Sequence, residues 1–272
     1  MPIDNRFTIK KIQKLQGFFT AFSPLTRMPY VACDPETFDD QVYIFTTEAL
    51  CGDFAKTLGE QQIPATPLNI PQPQMNGFLA SLYSLDVNMV VFLDDAGEAR
   101  IPVEELAKGP DMEKVAASKI PIMNPQLTLT MIYFLQELRR PDQSPEDPER
   151  RRRLQEMEQE MMANLIRAKY VMAIDVSKVE GEFDPKKAGQ NIQIPYVKNG
   201  EGEVFQPLFS DMWEFQKFNK NKESKFRVVM VPFKGLLPSL IKNAKGYILN
   251  PAGVGLVLLR ERLDALSRQA EE

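Results

Sequence analysis

"KGYILNPAGVGLVLL", residues 245–259, carries two glycines spaced as G-x-G behind Asn250-Pro251 and between apolar flanks. Two structures compete for such a stretch: a loop that cradles a phosphate, or the turn of a β-hairpin. A dinucleotide fingerprint needs G-x-G-x-x-G after a strand and at the start of a helix, so that amide dipoles meet the pyrophosphate. Here Gly253 and Gly255 are followed by Leu258 where the third glycine belongs, and "LVLL" reads as strand rather than helix. No G-K-[ST] exists anywhere in the chain, which excludes a P-loop. The hairpin is the better fit, with Asn250 and Pro251 shaping its turn.

Upstream of this hairpin the second half of the chain alternates strands and short helices. "YVMAIDV", "IQIPYV" and "GEVFQPLF" read as strands, "SDMWEFQKF" as a helix, "FRVVMVPF" as a strand and "KGLLPSLIK" as a helix. Ser210 is expected to cap the helix bearing Trp213, and "RERLDALSR" closes the chain as a helix. Before them, Asp147-Pro148-Glu149 starts a helix with Leu154, Met157, Met161 and Leu165 on one face. "ERRRR" 149–153 lies on it. The (i, i+4) pairs Glu149–Arg153 and Arg152–Glu156 favour a solvated helix face over a nucleic-acid patch.

The first half follows a similar order. Residues 5–22 place Ile9, Ile12, Leu15, Phe19 and Phe22 at helical spacing behind Asn5 as N-cap. "MPYVA" 28–32 and "QVYIF" 41–45 read as strands around the turn-rich "CDPETFDD", and Thr46 is expected to cap a helix through Leu50, Phe54 and Leu58. "NGFLASLY" 76–83 reads as a helix, and "NMVVFLDDAGEARIPV" as two strands around a turn. "KGPDMEKVAASKIPIMNP" is a loose connection into a helix from Asn124-Pro125, and "RRPDQSPEDPE" 139–149 is linker-like in proline and charge.

The two halves also align with one another. "QVYIFTTEALCGDFAK" 41–56 answers "FQPLFSDMWEFQKFNK" 205–220, and "NGFLASLYSLDVNMVV" 76–91 answers "KGLLPSLIKNAKGYIL" 234–249. "DDAG" 94–97 then answers "NPAG" 250–253, and "MPYV" 28–31 answers "IPYV" 194–197. An offset of about 160 residues indicates an internal duplication of whole domains, outside the short periods of solenoids. The expected fold class is α+β: two related mixed-sheet domains with short helices, over 1–122 and 149–272, joined by a connecting helix and linker at 123–148.

"IPYVKNGEGEVFQPLFSDMWEFQKF" followed by "RVVMVPFKGLLPSLIKNAKGYILNPAGVGLVL" resembles the SseB-type domain. The matching parts are the strand ending in Phe209-Ser210-Asp211, the "VPF" at 231–233 and the "GYILNPAGVGLVL" ending. The resemblance covers roughly residues 145–260. The first half departs from the pattern, with Asp94-Asp95 where the family shows Asn-Pro. What the resemblance implies is a small soluble bacterial α+β domain, with no catalytic set to transfer.

Composition narrows the function classes. With 33 Lys+Arg against 37 Asp+Glu the net charge is -4, which argues against a nucleic-acid partner. No run approaches the ~20 apolar residues of a membrane span, and the N-terminal stretch lacks the apolar segment of a secretory signal. Cys33 and Cys51 are too few for a disulfide framework. A cytoplasmic protein is expected. There is no histidine, which removes Ser-His-Asp and Cys-His machinery and His-ligated zinc.

No catalytic residue, metal ligand or cofactor is therefore expected, and the balance leans away from an enzyme. If the chain binds a ligand, Trp213, Asn250, Gly253 and Gly255 are the candidate binding residues. Ser210 lacks a base to activate it, and Trp213 is expected in a core or interface. Two function classes stay open. One is a non-catalytic tandem module with a protein-interaction or assembly role and an unidentified protein partner. The other is a small-molecule-binding or enzymatic domain, for amino acids or metabolites, with a site between the two copies.

Overall fold

The hairpin at the end of the chain forms as its turn residues require, and a parallel strand pair anchors it. A computed structural model describes residues 5–109, 122–141, 147–184, 191–221 and 225–269. The chain divides into two compact units, Met1–Ile120 with Thr128–Glu158, and Pro121–Leu127 with Gln159–Glu272.

In the first unit α1 (Arg6–Gln13) leads into β1 (Gly17–Ser23), β2 (Met28–Pro29), β3 (Val31–Cys33) and β4 (Asp40–Phe45). Then come α2 (Glu48–Glu60), β5 (Thr66–Pro71), α3 (Gln72–Ser81) with a 3-10 turn behind it, β6 (Met89–Asp94), β7 (Gly97–Pro102) and α4 (Val103–Leu106). β4 and β6 run parallel, with Gln41 beside Met89 and Phe45 beside Leu93. β7 returns antiparallel to β6. β1 pairs antiparallel with β4 and β5. The helix α2 covers this sheet through Phe54 and the buried Cys51, against Ala21, Phe45, Tyr30 and Tyr43.

Two helices carry the chain between the units: α5 (Pro125–Leu138) and α6 (Pro148–Arg167). α5 is no exposed connector. Met131, Ile132 and Leu135 are buried, and Gln136 exchanges two hydrogen bonds with the backbone of Val31. The division by contacts therefore assigns most of the expected 123–148 connection to the first unit. Residues 110–121, within the loose stretch expected ahead of the helix from Asn124-Pro125, and 142–146, within the expected linker, lie outside the described residues.

The second unit contains β8 (Lys169–Asp175), β9 (Val197–Lys198), β10 (Val204–Leu208), α7 (Met212–Phe218), β11 (Phe226–Pro232), α8 (Leu236–Ser239), β12 (Gly246–Leu249), β13 (Leu256–Leu259) and α9 (Arg260–Gln269). β10 and β12 run parallel from Phe205 beside Gly246 to Leu208 beside Leu249, and β13 returns antiparallel to β12. β8 pairs antiparallel with β11 and bridges to Phe209 just past β10. α7 packs Phe215 and Phe218 onto Phe209, with ring centroids 5.5 and 5.3 Å away. Both units thus run strand, helix, antiparallel strand, short helix, parallel strand and hairpin in one order. The fold is α+β with mixed sheets.

Several local expectations are corrected. The helix expected over 5–22 stops at Gln13, and 17–23 is a strand. Its apolar residues serve pairing on both edges of β1, a requirement of sheet partners far along the chain rather than of helical spacing. Asn5 holds the N-cap position of α1, but its side chain donates to the Arg100 carbonyl instead of capping the helix. The cap of α2 is Thr47, not Thr46, accepting from the Leu50 amide at 3.3 Å. β5 has no counterpart in the expected elements. Among the described residues no helix is long and apolar enough to cross a membrane.

Candidate functional site

The end of β10 and the β12–β13 turn meet in a buried polar cluster. Asn250 adopts a left-handed backbone, φ 54°, a conformation that asparagine tolerates better than most residues. Its carbonyl accepts from the amides of Gly253 and Gly255, both at 2.9 Å, so these amides close a turn rather than await a phosphate. Its side chain reaches across to β10. The Ser210 amide donates to Asn250 Oδ1 at 2.9 Å, and Asn250 Nδ2 donates to Ser210 Oγ at 2.9 Å. Ser210 Oγ in turn donates to Asp211 Oδ2 at 2.8 Å.

Asp211, not Ser210, is the N-cap of α7: its Oδ1 accepts from the Glu214 amide at 2.9 Å. A carboxylate is a stronger acceptor than a hydroxyl, and the Ser210 oxygen is already engaged by Asn250 Nδ2. Glu214 is buried, with Lys217 donating to its Oε1 at 2.5 Å while Oε2 finds no partner among the described residues. Burial pushes its carboxyl up, the Asp211 charge adds to this, and Lys217 opposes it. Gly253 makes room for that carboxylate: a Cβ there would stand 2.5 Å from Glu214 Oε2. Asn124 Nδ2 closes the cluster from another side, donating to the carbonyls of Ser210 and Lys169.

Three of the candidate residues, Asn250, Gly253 and Gly255, are thus brought together. Trp213 is not joined to them. It sits on α7 but faces solvent, 53% exposed, rather than lying in a core. Asp211 and Glu214 are not among the candidate residues of the sequence, although their D-x-x-E spacing at a helix start is a usable signal. Chemically the Ser210–Asp211–Asn250 part of the cluster is satisfied within itself. The Ser210 proton is committed to Asp211, its lone pair to Asn250, and Ser210, Asp211, Glu214 and Asn250 are all buried. Such an arrangement fastens a strand end, a helix start and a turn to one another.

The arginine run is also largely spoken for. Arg150 Nε donates to Glu137 Oε1 at 3.2 Å, with Arg140 and Arg153 on the same carboxylate at 3.1 and 3.7 Å. Arg152 lies 3.9 Å from Glu156. Of the cysteines, Cys33 is exposed, and Cys51 is buried with its thiol pushed up to about 12 by that burial. Among the described residues no group of three or more Cys, Asp or Glu is placed to hold a metal ion.

Each unit has a shallow cleft where its parallel strand begins. The first, about 390 Å³, is lined by Asp39, Tyr83, Asp86, Asn88 and Glu104 among others. The second, about 590 Å³, sets Lys242, Lys245 and Arg260 against Glu203 and Glu261.

No curated protein sequence matches the chain. Among solved structures, Tic22 from Anabaena, described as a protein of protein transport, aligns at 13% identity over 98% of each chain, with a TM-score of 0.22. Tic22 from Plasmodium falciparum aligns at 10% identity over 97% of each chain, with a TM-score of 0.21. Residues 150–265, which span α6 through the Asn250 turn and into α9, match the family model of the SseB protein N-terminal domain, and this half of the chain is an SseB domain.

Proposed function

We propose that the chain is a non-catalytic tandem SseB-like module with a protein-interaction or assembly role in the cytoplasm, its two copies lying within 1–122 and 149–272. One observation carries the proposal. The polar residues of the Asn-Pro-x-Gly turn are consumed in a buried staple, while the tryptophan on the adjoining helix stands in solvent. Exposed tryptophan is costly to leave in water and is enriched among the residues that dominate protein interfaces. The shared order of elements in the two units supports the tandem reading.

Crosslinking in native cells, with mass spectrometry of the full chain and of Trp213→Ala, tests it. A stoichiometric protein partner captured by the wild type and lost in the variant is the expected result. Recovery of no partner, or equal capture by both, counts against the proposal.

A further inference from the structure

β11 is an edge strand: among the described residues it pairs only with β8. Its seven residues, FRVVMVP, expose Val228 and Met230 at 39% and 58%. In register, Val228 lies opposite Ala173 and Met230 opposite Val171, so both stand on the face that α7 begins to cover. An apolar edge of this length with no second partner strand among the described residues is a template for another strand, and proteins ordinarily blunt such edges with proline or charge.

The first unit shows that blunting at the same place. Phe19 pairs with Phe45 just ahead of the α2 cap, and Val171 pairs with Phe209 just ahead of the α7 cap. Phe19 therefore corresponds to Val171, and Ala21 to Ala173. Opposite Ala21 and Phe19, β5 carries Pro67 and an exposed Asn69. These are the positions that Val228 and Met230 hold in the second unit. β5 has two prolines in six residues, whereas β11 has only Pro232 at its end. Proline removes the amide that a further strand would bond. Among the described residues, one unit carries a proline-blunted edge and the other does not.

We infer that β11 joins the β11 strand of a second copy of the chain, antiparallel, about a two-fold axis at Val229. That register is the one that overlaps the whole strand. It sets Val228 of one copy opposite Met230 of the other, so each exposed residue covers its counterpart. Arg227, the only charge in the strand, falls opposite Val231 and not opposite itself, so no like charges meet. The surface is self-complementary, as a closed two-fold interface requires. This inference stands independently of the protein-partner proposal above.

Sedimentation velocity of the full chain gives the first test, with a dimer of twice the chain mass expected. Val228→Lys/Met230→Lys places gatekeeper charges on two exposed positions and reduces the mass to that of one chain, with an unchanged far-UV spectrum. In a Cys33→Ser background, Val229→Cys forms a disulfide-linked dimer under mild oxidation and Arg227→Cys does not. A wild type that stays monomeric at its highest soluble concentration overturns the inference. So does a dimer that survives the lysine pair, or crosslinking through position 227 in preference to 229.

Discussion

Asn250 grips Ser210 with both ends of its side-chain amide, accepting from the backbone at 2.9 Å and donating to the hydroxyl at 2.9 Å, across 40 residues of sequence. The contact fixes where the final hairpin sits against β10, because the Asn250 amide also donates to the Leu208 carbonyl at 2.8 Å. It is the geometric reason for an Asn-Pro-x-Gly turn in this half of the chain.

Asn250→Ala leaves the Ser210 amide and the Asp211-bound hydroxyl short of a partner in a buried place. An unmet buried group costs about 1–3 kcal/mol. The left-handed backbone adds about 1 kcal/mol for a residue with a plain Cβ. The expected loss is therefore roughly 2–4 kcal/mol in urea unfolding. Asn250→Gly keeps the backbone comfortable and loses only the side-chain part, so it should fall between wild type and alanine. Equal stabilities for all three chains would show the grip to be idle.

How much of this was open to reading from the sequence depends on distance along the chain. The β12–β13 hairpin was legible because its cause is local: Asn250, Pro251, Gly253 and Gly255 lie within six residues, between apolar runs. The α7 helix and the arginine-bearing α6 were legible from spacing for the same reason. β1 was not. "GFFTAFS" continues a helical spacing set by Ile9, Ile12 and Leu15, and what makes it a strand is pairing with β5 some 50 residues on. β5 itself was hidden by Pro67 and Pro71, which usually argue against a strand and here mark an edge. In the candidate site, the turn residues announced themselves, but their partners Ser210, Asp211 and Glu214 could be joined to them only by the fold. Ser210 reads as a cap in the sequence because nothing local shows that its oxygen is taken by Asn250, 40 residues on.

Three glycines at or near that turn differ in what an added methyl group meets, and their alanine variants should rank accordingly. At Gly246 a Cβ would stand 2.1 Å from the Leu258 carbonyl oxygen, in the backbone of the paired strand, which cannot yield without breaking the β12–β13 ladder. Gly246→Ala is expected to be the most damaging. At Gly253 the obstacle is the Glu214 carboxylate, the end of a side chain, and overpacking costs about 1–3 kcal/mol. At Gly255 space is open and only the left-handed φ of 59° opposes a side chain, about 1 kcal/mol. Thermal unfolding of the three variants checks the order. A Gly253→Ala/Glu214→Ala double variant should lose less than the sum of the singles, because the clash disappears with the carboxylate.

Glu137 gathers Arg140, Arg150 and Arg153 while largely shielded from solvent, tying α5 to α6. Removing one partner of a shielded charge network costs more than breaking a surface pair. Glu137→Ala should therefore destabilise by about 1–3 kcal/mol, between the surface and buried limits. The same variant releases guanidinium groups that the wild type holds in place. Retention on heparin should accordingly rise in Glu137→Ala and stay low in the wild type. Strong salt-sensitive retention of the wild type would instead make the arginine run a nucleic-acid patch.

Asp34 and Glu214 give the two units opposite responses to pH. The Asp34 carboxyl is held well below the usual range, first by the Arg100 hydrogen bond and then by the amides of Thr37 and Glu36. Its folded-state pKa lies under the unfolded value of about 3.9. The stability it contributes is thus present above that value and lost as pH falls through the folded one. Asp34→Asn should destabilise the first unit at neutral pH, and its difference from wild type should shrink in strong acid. Glu214 behaves in reverse, since burial raises its pKa above the unfolded value of about 4.3. Its favourable contribution is complete below that value and declines as pH rises through the folded one, where the buried group must ionise. Glu214→Gln keeps a neutral side chain of the same shape, so its stability relative to wild type should improve as pH rises above the carboxylate range. Urea unfolding across a pH series, with each variant beside wild type, reads both effects. Curves that run parallel to wild type at every pH would remove Asp34 and Glu214 from the account of how acid and base act on this protein.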